Sequence, residues 1–236
     1  YRVAIGELTF VTSIFPLGRQ VGAQTTVKIE GWNLPETRLI QDDKEKRPGI
    51  GHVSVRKAGQ ISNRVPFALD TLPECLEKEP NDSPGSAQSM TLPIIVNGRI
   101  DPPSDSDLFR FEGRAGDQVV AEVHARRLDS PVDSVLKLTD ASGRQLAFND
   151  DYEDKATGLN THHADSRLMA TLPADGAYYL HLSDAQHKGG AEYGYRLRIS
   201  PRRPDFELRI VPSSINVRAG GSVAFTVFAL RKDGFS

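Results

Sequence analysis

Short stretches in which apolar and polar residues alternate recur along almost the whole chain. Residues 119–123, 178–182 and 195–199 are examples: β-branched and aromatic residues dominate them, and several alternate with the period of two expected for half-buried strands. Turn signals rich in Gly and Asp, such as 115–117 and 174–176, separate these stretches at short intervals. The pattern predicts an all-β fold built from sandwiches rather than from βαβ units.

Only one segment, residues 83–90, has a helical pattern. A polar residue among 81–83 would cap its N-terminus. Pro84 and Gly85 lie inside the segment, so we expect any helix here to be short.

The aromatic residues divide into two groups. We predict that Phe10, Phe15, Trp32 and Phe67 belong to the core of the first β unit. In the segment 178–182, period two places Tyr178 and Leu180 on one face and Tyr179 and His181 on the other. One face should be core, and the other is either core or an exposed aromatic strip for a fibrous protein or glycan; the core alternative is favoured.

Prolines and charged linkers predict the domain boundaries. Residues 66–73 close one β unit and residues 200–204 close a second, because proline lacks the N–H that a sheet ladder needs. We therefore expect four parts: residues 1–9 as the end of a preceding strand or domain, 10–73 as an Ig-like sandwich, 74–200 as a second, jelly-roll-like sandwich, and 205–236 as the start of a further, truncated Ig-like unit. Its first strands are expected at 208–212 and 222–227. The chain is interpreted as a piece of a longer protein.

The charge balance argues against polyanionic partners. Lys and Arg number 29 against 31 Asp and Glu, a net charge of −2, which gives no electrostatic case for nucleic acid or an anionic membrane. No apolar run reaches the 18 residues of a membrane span. Cys75 is the only cysteine, so we expect neither an internal disulfide nor a cysteine-based zinc site.

An acidic linker and an acidic turn some twenty residues further on are the strongest candidates for a binding site. Calcium takes six to eight oxygen ligands from carboxylates, amides and backbone carbonyls. The alternative is a solvated linker whose Asp and Asn residues serve turns and caps. The candidate ligands are Glu77, Glu79, Asn81, Asp82, Asp101, Asp105 and Asp107.

A second polar group gives a weaker signal for a metal. It comprises Asn149, Asp150, Asp151, Glu153, Asp154 and Asp165, with His162 and His163. Its spacing matches no EF-hand, so an exposed polar loop is favoured, with Asp165 and Arg167 pairing at the surface. Adjacent histidines on an extended segment point to opposite faces, and no H-E-x-x-H or G-x-S-x-G motif is present. We therefore predict that the chain is not an enzyme.

The middle unit resembles the bacterial pre-peptidase C-terminal (PPC) domain family, which is related to the collagen-binding segments of collagenases. The resemblance depends on the collinear order of several motifs over more than half the chain. They include Glu79-Pro80-Asn81-Asp82, Asn97-Gly98-Arg99-Ile100, Asp105-Ser106-Asp107-Leu108-Phe109, Ala115-Gly116-Asp117, Asp133-Ser134-Val135-Leu136 and Pro173-Ala174-Asp175-Gly176-Ala177-Tyr178. The resemblance implies a jelly-roll-like sandwich without catalytic residues in a secreted parent protein. It also implies calcium ligands at Glu77, Glu79, Asn81, Asp82, Asp105 and Asp107; Asp101 is added from local chemistry alone.

The first unit is similar to Ig-like domains of the IPT/TIG type. The similarity is carried by Phe15-Pro16-Leu17-Gly18, by Val27-Lys28-Ile29-Glu30-Gly31-Trp32-Asn33-Leu34 and by Ser62-Asn63-Arg64-Val65-Pro66-Phe67. The charged stretch 41–47 stands where that family would have a strand.

Together these features predict a non-catalytic, calcium-binding segment of an exported bacterial protein, secreted or located at the cell surface or in the periplasm. Its expected role is adhesion, substrate targeting or domain spacing. The alternative is an accessory targeting or maturation module of a secreted peptidase or other hydrolase whose catalytic domain lies outside these residues. The expected partners are an extracellular polymer, either a protein fibre or a glycan, or neighbouring domains of the same chain.

Overall fold

The computed structural model describes residues 6–41, 47–153 and 164–235. These residues form twenty strands, connecting turns and a single 3₁₀ turn, which confirms the predicted all-β class. None of the described segments contains a helix long and apolar enough to cross a membrane.

The first region of the chain forms two three-stranded sheets and a small hairpin. The sheet orders are β1-β3-β4 and β2-β8-β5, and β6 pairs with β7. Strands β2 and β8 run parallel, whereas the other neighbours are antiparallel. The strands are β1 (Phe10–Phe15), β2 (Gly18–Gln20), β3 (Thr25–Trp32), β4 (Arg38–Gln41), β5 (Gly49–Val53), β6 (Arg56–Lys57), β7 (Gln60–Ile61) and β8 (Val65–Asp70).

The alternation along these strands determines which residues enter the first core. Val27 and Ile29 of β3 face inward and meet Phe67 of β8, and all three are buried. By the same alternation Trp32 points outward, and it is 69% exposed. The prediction that Trp32 and Phe10 are core residues is therefore wrong.

Phe10 is exposed because it is the register partner of Trp32 and shares its face of the sheet. It is 48% exposed. Phe15 is half-buried beneath the guanidinium of Arg99, which lies 4.0 Å from the ring centroid. Of the four predicted core aromatics in this region, only Phe67 is fully enclosed.

The middle region is a sandwich of two five-stranded sheets, in the orders β10-β12-β17-β14-β15 and β16-β13-β18-β11-β9. Phe109, Leu138 and Leu180 of one sheet pack against Val123 and Leu197 of the other around a single core. The elements are β9 (Glu74–Leu76), β10 (Gln88–Met90), β11 (Ile94–Arg99), β12 (Ser106–Gly113), β13 (Gln118–His124), the 3₁₀ turn (Arg126–Leu128), β14 (Ser134–Asp140), β15 (Gln145–Asn149), β16 (Arg167–Thr171), β17 (Gly176–Asp184) and β18 (Gly194–Pro201).

Two local predictions for this region have opposite outcomes. Tyr178 and Leu180 share the core face of β17, as the alternation predicts, and both are buried. The helix predicted for residues 83–90 is wrong. Residues 84–86 form a turn closed by a Ser86 N–H to Ser83 C=O hydrogen bond of 3.0 Å, and strand β10 begins at Gln88.

The last described region is a hairpin of β19 (Asp205–Val211) and β20 (Thr226–Lys232). The first strand was expected at 208–212 and begins three residues earlier. The second was expected at 222–227 but starts at Thr226 and continues to Lys232. Among the described strands, β19 and β20 pair only with each other.

The first and middle regions pack directly against each other. Leu128, in the 3₁₀ turn of the middle region, belongs to the core of the first region together with Val11 and Ile14. The Arg99–Phe15 contact joins the same two regions. The linker that carries the predicted ligands therefore joins two regions that pack against each other, and is not a free connection between separate domains.

Candidate metal centre

The acidic linker is positioned by strand pairing at both of its ends. β9 runs parallel to β11, and the Glu77 N–H continues that ladder by donating to the Asn97 carbonyl at 3.0 Å. Further along, the Asn81 carbonyl accepts the Leu108 N–H of β12 at 3.1 Å. Residues 77–82 are thereby fastened to a strand of each sheet, beside the start of β12, where Asp105 and Asp107 lie.

Glu77 forms hydrogen bonds with three other residues in the inner part of this site. Its Oε1 accepts hydrogen bonds from Asn81 Nδ2 at 3.1 Å and lies 2.9 Å from the Tyr195 hydroxyl. Its Oε2 accepts the Arg99 N–H at 2.8 Å. One carboxylate thus links the linker, β11 and β18.

Asp107 is fully buried, with its Oδ2 2.7 Å from the same Tyr195 hydroxyl. A tyrosine hydroxyl has a single hydrogen, so it can donate to Glu77 or to Asp107 but not to both. When Glu77 and Asp107 are both ionised, the inner site therefore holds more acceptor oxygens than the surrounding groups have donors for.

Two buried oxygens in this site have no hydrogen-bond partner: Asn81 Oδ1 and Asp107 Oδ1. Both residues are 0% exposed. A buried acceptor without a donor costs about 1–3 kcal/mol, and more when it is charged. These oxygens therefore mark the place where a cation would be bound most favourably.

Gly98 makes the close approach of these groups possible. A Cβ atom at this position would lie 2.3 Å from the Tyr195 hydroxyl oxygen and 2.7 Å from Glu77 Oε2. Gly98 is the register partner of Tyr195 in the adjacent strand. The Asn97-Gly98 pair is thus required by packing at the site, not by a turn.

The carboxylates form an inner and an outer group. Glu77, Glu79 and Asp107 make the inner one, and the outer one consists of Glu79, Asp82 and Asp105. Within each group one ligand atom per residue lies within 4.8 Å of the others. Oxygens on opposite sides of a calcium ion are about 5 Å apart, since each lies roughly 2.3–2.6 Å from the metal.

The crowding of like charges raises the pKa values of several of these groups. Burial, then the Glu77 carboxylate, raises the pKa of Asp107 to about 11. Burial also raises the pKa of Glu79, with Glu77 and Asp105 adding to the effect. The pKa of Asp105 is raised by burial and, less strongly, by Glu77 and Asp82. Without a cation, the fold favours the protonated forms of these acids.

Asp101 is the one predicted ligand that the structure does not bring into either carboxylate group. Its side chain is exposed, and its backbone N–H donates to Asp105 Oδ2 at 2.9 Å. Asp101 therefore orients Asp105 through the main chain, and its prediction as a side-chain ligand is not supported by the geometry.

Tyr195 and Gly98 were not predicted as parts of the site. Gly98 lies in a motif that carries the PPC resemblance, but only the β11–β18 register places it opposite Tyr195 and close to Glu77. A glycine flanked by strand-forming residues was the available signal, because glycine inside a strand often marks a close approach.

The donor set has the chemistry that calcium prefers. Five carboxylates form two groups that share Glu79, the Asn81 amide contacts Glu77, and no lysine or arginine among the described residues forms an ion pair with any of the five carboxylates. Calcium binds hard oxygen ligands, whereas zinc favours histidine and cysteine. The residues that would hold calcium are Glu77, Glu79, Asn81, Asp82, Asp105 and Asp107.

The second polar group predicted from the sequence is organised differently. Asp165 is fully buried, and its carboxylate accepts the N–H groups of Ala125, Arg126 and Arg127 as well as Arg127 Nε at 2.7 Å. The predicted surface pair of Asp165 with Arg167 is therefore wrong, since Asp165 pairs with Arg127 and Arg167 with Asp233. Asp154, His162 and His163 lie outside the described residues.

These observations define an all-β chain with a two-sheet sandwich and an oxygen-rich site at its junction with the preceding β region. No protein-family model matches the chain. A probable subtilase-type serine protease of Deinococcus radiodurans is 40% identical over 162 residues, which is 63% of this chain and 21% of that protein. The matched part of this chain thus spans about a fifth of the length of its curated relative.

Two solved structures show distant similarity. One is the pre-peptidase C-terminal domain of a Bacillus anthracis collagenase, with a TM-score of 0.38 and 13% identity over 52% of this chain and 100% of that domain. The other is PliG of Aeromonas hydrophila, a periplasmic inhibitor of g-type lysozyme, with a TM-score of 0.34 and 12% identity over 54% of this chain and 95% of that protein. At these scores neither similarity contributes to the functional argument.

Proposed function

We propose that the chain is a non-catalytic, calcium-binding segment of an exported multidomain protein. Its proposed task is to hold neighbouring β domains in a fixed arrangement for adhesion, substrate targeting or spacing. The observation that carries this proposal is the pair of buried, unpartnered oxygens, Asn81 Oδ1 and Asp107 Oδ1, beside carboxylates that no lysine or arginine of the described segments neutralises. Calcium would supply the missing positive charge and ligand contacts together.

Because of where the site lies, bound calcium would also affect the contact between the first and middle regions. Glu77 Oε2 accepts the Arg99 N–H, and the Arg99 guanidinium covers the Phe15 ring of the preceding region. An ion that fixes Glu77 would therefore also stabilise the path of the linker between the two regions. With Cys75 as the only cysteine, no internal disulfide performs this task.

The parent protein is proposed to be a secreted or cell-surface peptidase, with this chain as an accessory module outside its catalytic domain. Support comes from the 40% identity with a probable subtilase-type serine protease over 162 residues, together with the PPC-like motifs. Expression of the flanking sequence with and without residues 74–200, followed by assays of secretion and peptidase activity, tests this proposal. Absence of any peptidase domain in the flanking sequence would contradict it.

Thermal melts test the calcium proposal. If calcium binds only the folded form, a hundredfold excess over Kd stabilises by about 2.7 kcal/mol. We expect EDTA to lower Tm, calcium to restore it, and magnesium to restore it less, because magnesium demands a tighter octahedral geometry. A Tm that is unchanged after complete chelation and calcium addition would overturn the proposal.

A second candidate function, binding of an extracellular polymer, is favoured by the exposed cross-strand pair Phe10 and Trp32. Aromatic side chains with a free face are typical of interaction surfaces. Co-sedimentation with insoluble protein fibres and insoluble glycans tests this candidate. Trp32→Ala should abolish binding, whereas Ile40→Ala, which alters a similarly exposed aliphatic residue at 67% exposure, should not. Equal sedimentation of wild type and Trp32→Ala would count against this surface.

A further inference from the structure

The turn after β20, at the open end of the hairpin, contains a carboxylate in an unusual position for an exposed hairpin. Asp233 is only 4% exposed, although the strands leading to it are largely open to solvent. Its φ of 49° lies in the left-handed region, which Asp and Asn adopt more readily than most residues. The turn therefore directs this carboxylate away from solvent and into the preceding sandwich.

The middle sandwich and its C-terminal linker surround Asp233 with donors. Arg198 Nη1 lies 3.1 Å from Oδ2, the Arg203 N–H donates to the same oxygen at 3.0 Å, and Arg167 donates to Oδ1. Arg202 Nε also donates to the Asp233 carbonyl at 2.9 Å. Two strands of the sandwich, β16 and β18, and the linker thus converge on one residue of the hairpin.

These contacts complete a chain of alternating charges that begins deep in the sandwich. Arg127 Nε lies 2.7 Å from Asp165, and Arg127 Nη1 lies 3.0 Å from Glu122. Glu122 lies 2.9 Å from Arg198, which reaches Asp233. This series of ion pairs ends at Arg167 and joins three carboxylates to three guanidinium groups. Asp233 is its only member that belongs to the hairpin.

The Asp233 carboxylate compensates positive charge that belongs to the sandwich. Without Asp233, Arg167 would lose its paired carboxylate, and Glu122, which Arg127 shares, would be the remaining carboxylate partner of Arg198 among the described residues. Both guanidinium groups are only 13% exposed, so water replaces the missing partner poorly. Since β19 and β20 pair with no other described strand, the hairpin has no sheet contact that would dock it independently.

We propose that the sandwich carries a dedicated carboxylate socket, formed by Arg167, Arg198 and the Arg203 N–H, which docks the following β unit through Asp233. The partner that fits the socket is a β-turn presenting an aspartate in the left-handed conformation. The segment 200–204 then acts as a fixed connection between units rather than as a flexible spacer.

Limited proteolysis tests the docking. Trypsin can cleave between Arg202 and Arg203, whereas Pro204 makes the next bond a poor substrate. In the docked state Arg202 is bound to Asp233 and to Gln118, which protects the bond. Asp233→Asn keeps the size and turn preference of the side chain but removes its charge, and we expect cleavage to accelerate about tenfold or more, the factor that corresponds to 1.4 kcal/mol of lost docking energy.

Asp205→Asn is the matched control, because Asp205 is on the same hairpin and accepts only the neighbouring Phe206 N–H. Its cleavage rate should equal that of the wild type. Hydrogen exchange of β12 and β17, in the sandwich core, should be unchanged in Asp233→Asn. Equal cleavage of Asp233→Asn and wild type would overturn the proposal, and so would a matching acceleration of exchange in the sandwich core, since the effect would then be global unfolding.

Discussion

Two clusters of carboxylates in the same sandwich differ in whether cationic side chains compensate their charge. In the chain of Asp165, Glu122 and Asp233, every carboxylate is paired with at least one arginine. In the cluster around Glu77 and Asp107, no described lysine or arginine is paired, and buried oxygens lack donors.

The pKa values follow this difference. Burial alone would raise the pKa of Glu122, but His124, Arg127 and Arg198 offset it and hold the value well below its ordinary range. The pKa of His124 is itself lowered by burial and by Arg127, so at neutral pH the arginines supply the compensating charge. In the linker cluster the Tyr195 hydroxyl opposes only part of the effect of burial and of the Glu77 carboxylate, and the pKa of Asp107 is raised to about 11. Carboxylates are thus paired with arginines in one cluster, whereas in the other the described residues supply no arginine or lysine partner.

The largest effect is expected from breaking the balanced network at Asp165. Asp165→Asn removes the charge that compensates Arg127 and leaves a buried cation with one partner fewer, which should cost about 3–5 kcal/mol. Because arginines and not calcium neutralise this network, the loss should be the same in calcium and in EDTA. Chemical denaturation in both buffers measures it.

The control is Asp175→Asn, which alters an exposed carboxylate that accepts a single N–H from Ala115. It should change the free energy of unfolding by less than about 0.5 kcal/mol. If the loss in free energy of unfolding caused by Asp165→Asn depended strongly on calcium, the two clusters would not be independent and the comparison would be contradicted.

A smaller effect is expected from filling the space beneath Glu77. Gly98→Ala places a methyl group against Tyr195 and Glu77, and we expect a loss of about 1–3 kcal/mol from overpacking together with weaker calcium binding. Gly85→Ala, in the turn of residues 84–86, is the control, since its Cβ would meet nothing within 4 Å. Calorimetric calcium titrations of both variants measure the difference, and equal affinities would remove Gly98 from the site.

The sequence predicted the all-β class and most of the acidic residues of the candidate site, because both depend on residues that are close together along the chain. Alternation along each strand identifies the strands, and Glu77, Glu79 and Asp82 are close in sequence, so proximity follows from the chain itself. Tyr195 and Asp165 reach their partners only through the register of distant strands and through loop closure, which no local pattern encodes. Trp32 was misplaced because its size suggested burial, whereas the alternation from Val27 and Ile29 already pointed it outward.

Acidification is expected to change the stability least. It distinguishes the two clusters because they should lose their contributions to stability at different pH values. Folded Glu122 and Asp233 have lowered pKa values, so their contribution is complete above their unfolded values of about 4.5 and 3.8 and is lost only as the pH falls through the lower folded values. Protons compete with calcium for its ligands, and the raised pKa values of Glu79, Asp105 and Asp107 favour the protons.

Tm measured against pH in calcium and in EDTA should therefore converge at a higher pH than that at which the wild type and Asp233→Asn converge. In EDTA the ionisation of Asp107 should also destabilise the fold as the pH rises from 3.8 towards about 11, because the folded state binds that proton more tightly. Convergence in the reverse order would contradict the assignment of the two clusters.

The decisive experiment is a calcium titration of Asp107→Asn, with Asp101→Asn as the control. Without a cation, Asp107 must either carry a buried charge or bind a proton, and Asp107→Asn removes that cost, so we predict a higher Tm than wild type in EDTA and little or no further increase on adding calcium. Asp101→Asn, whose side chain lies outside both carboxylate groups, should melt and bind calcium like the wild type. A lower Tm for Asp107→Asn in EDTA together with an undiminished response to calcium would contradict the account.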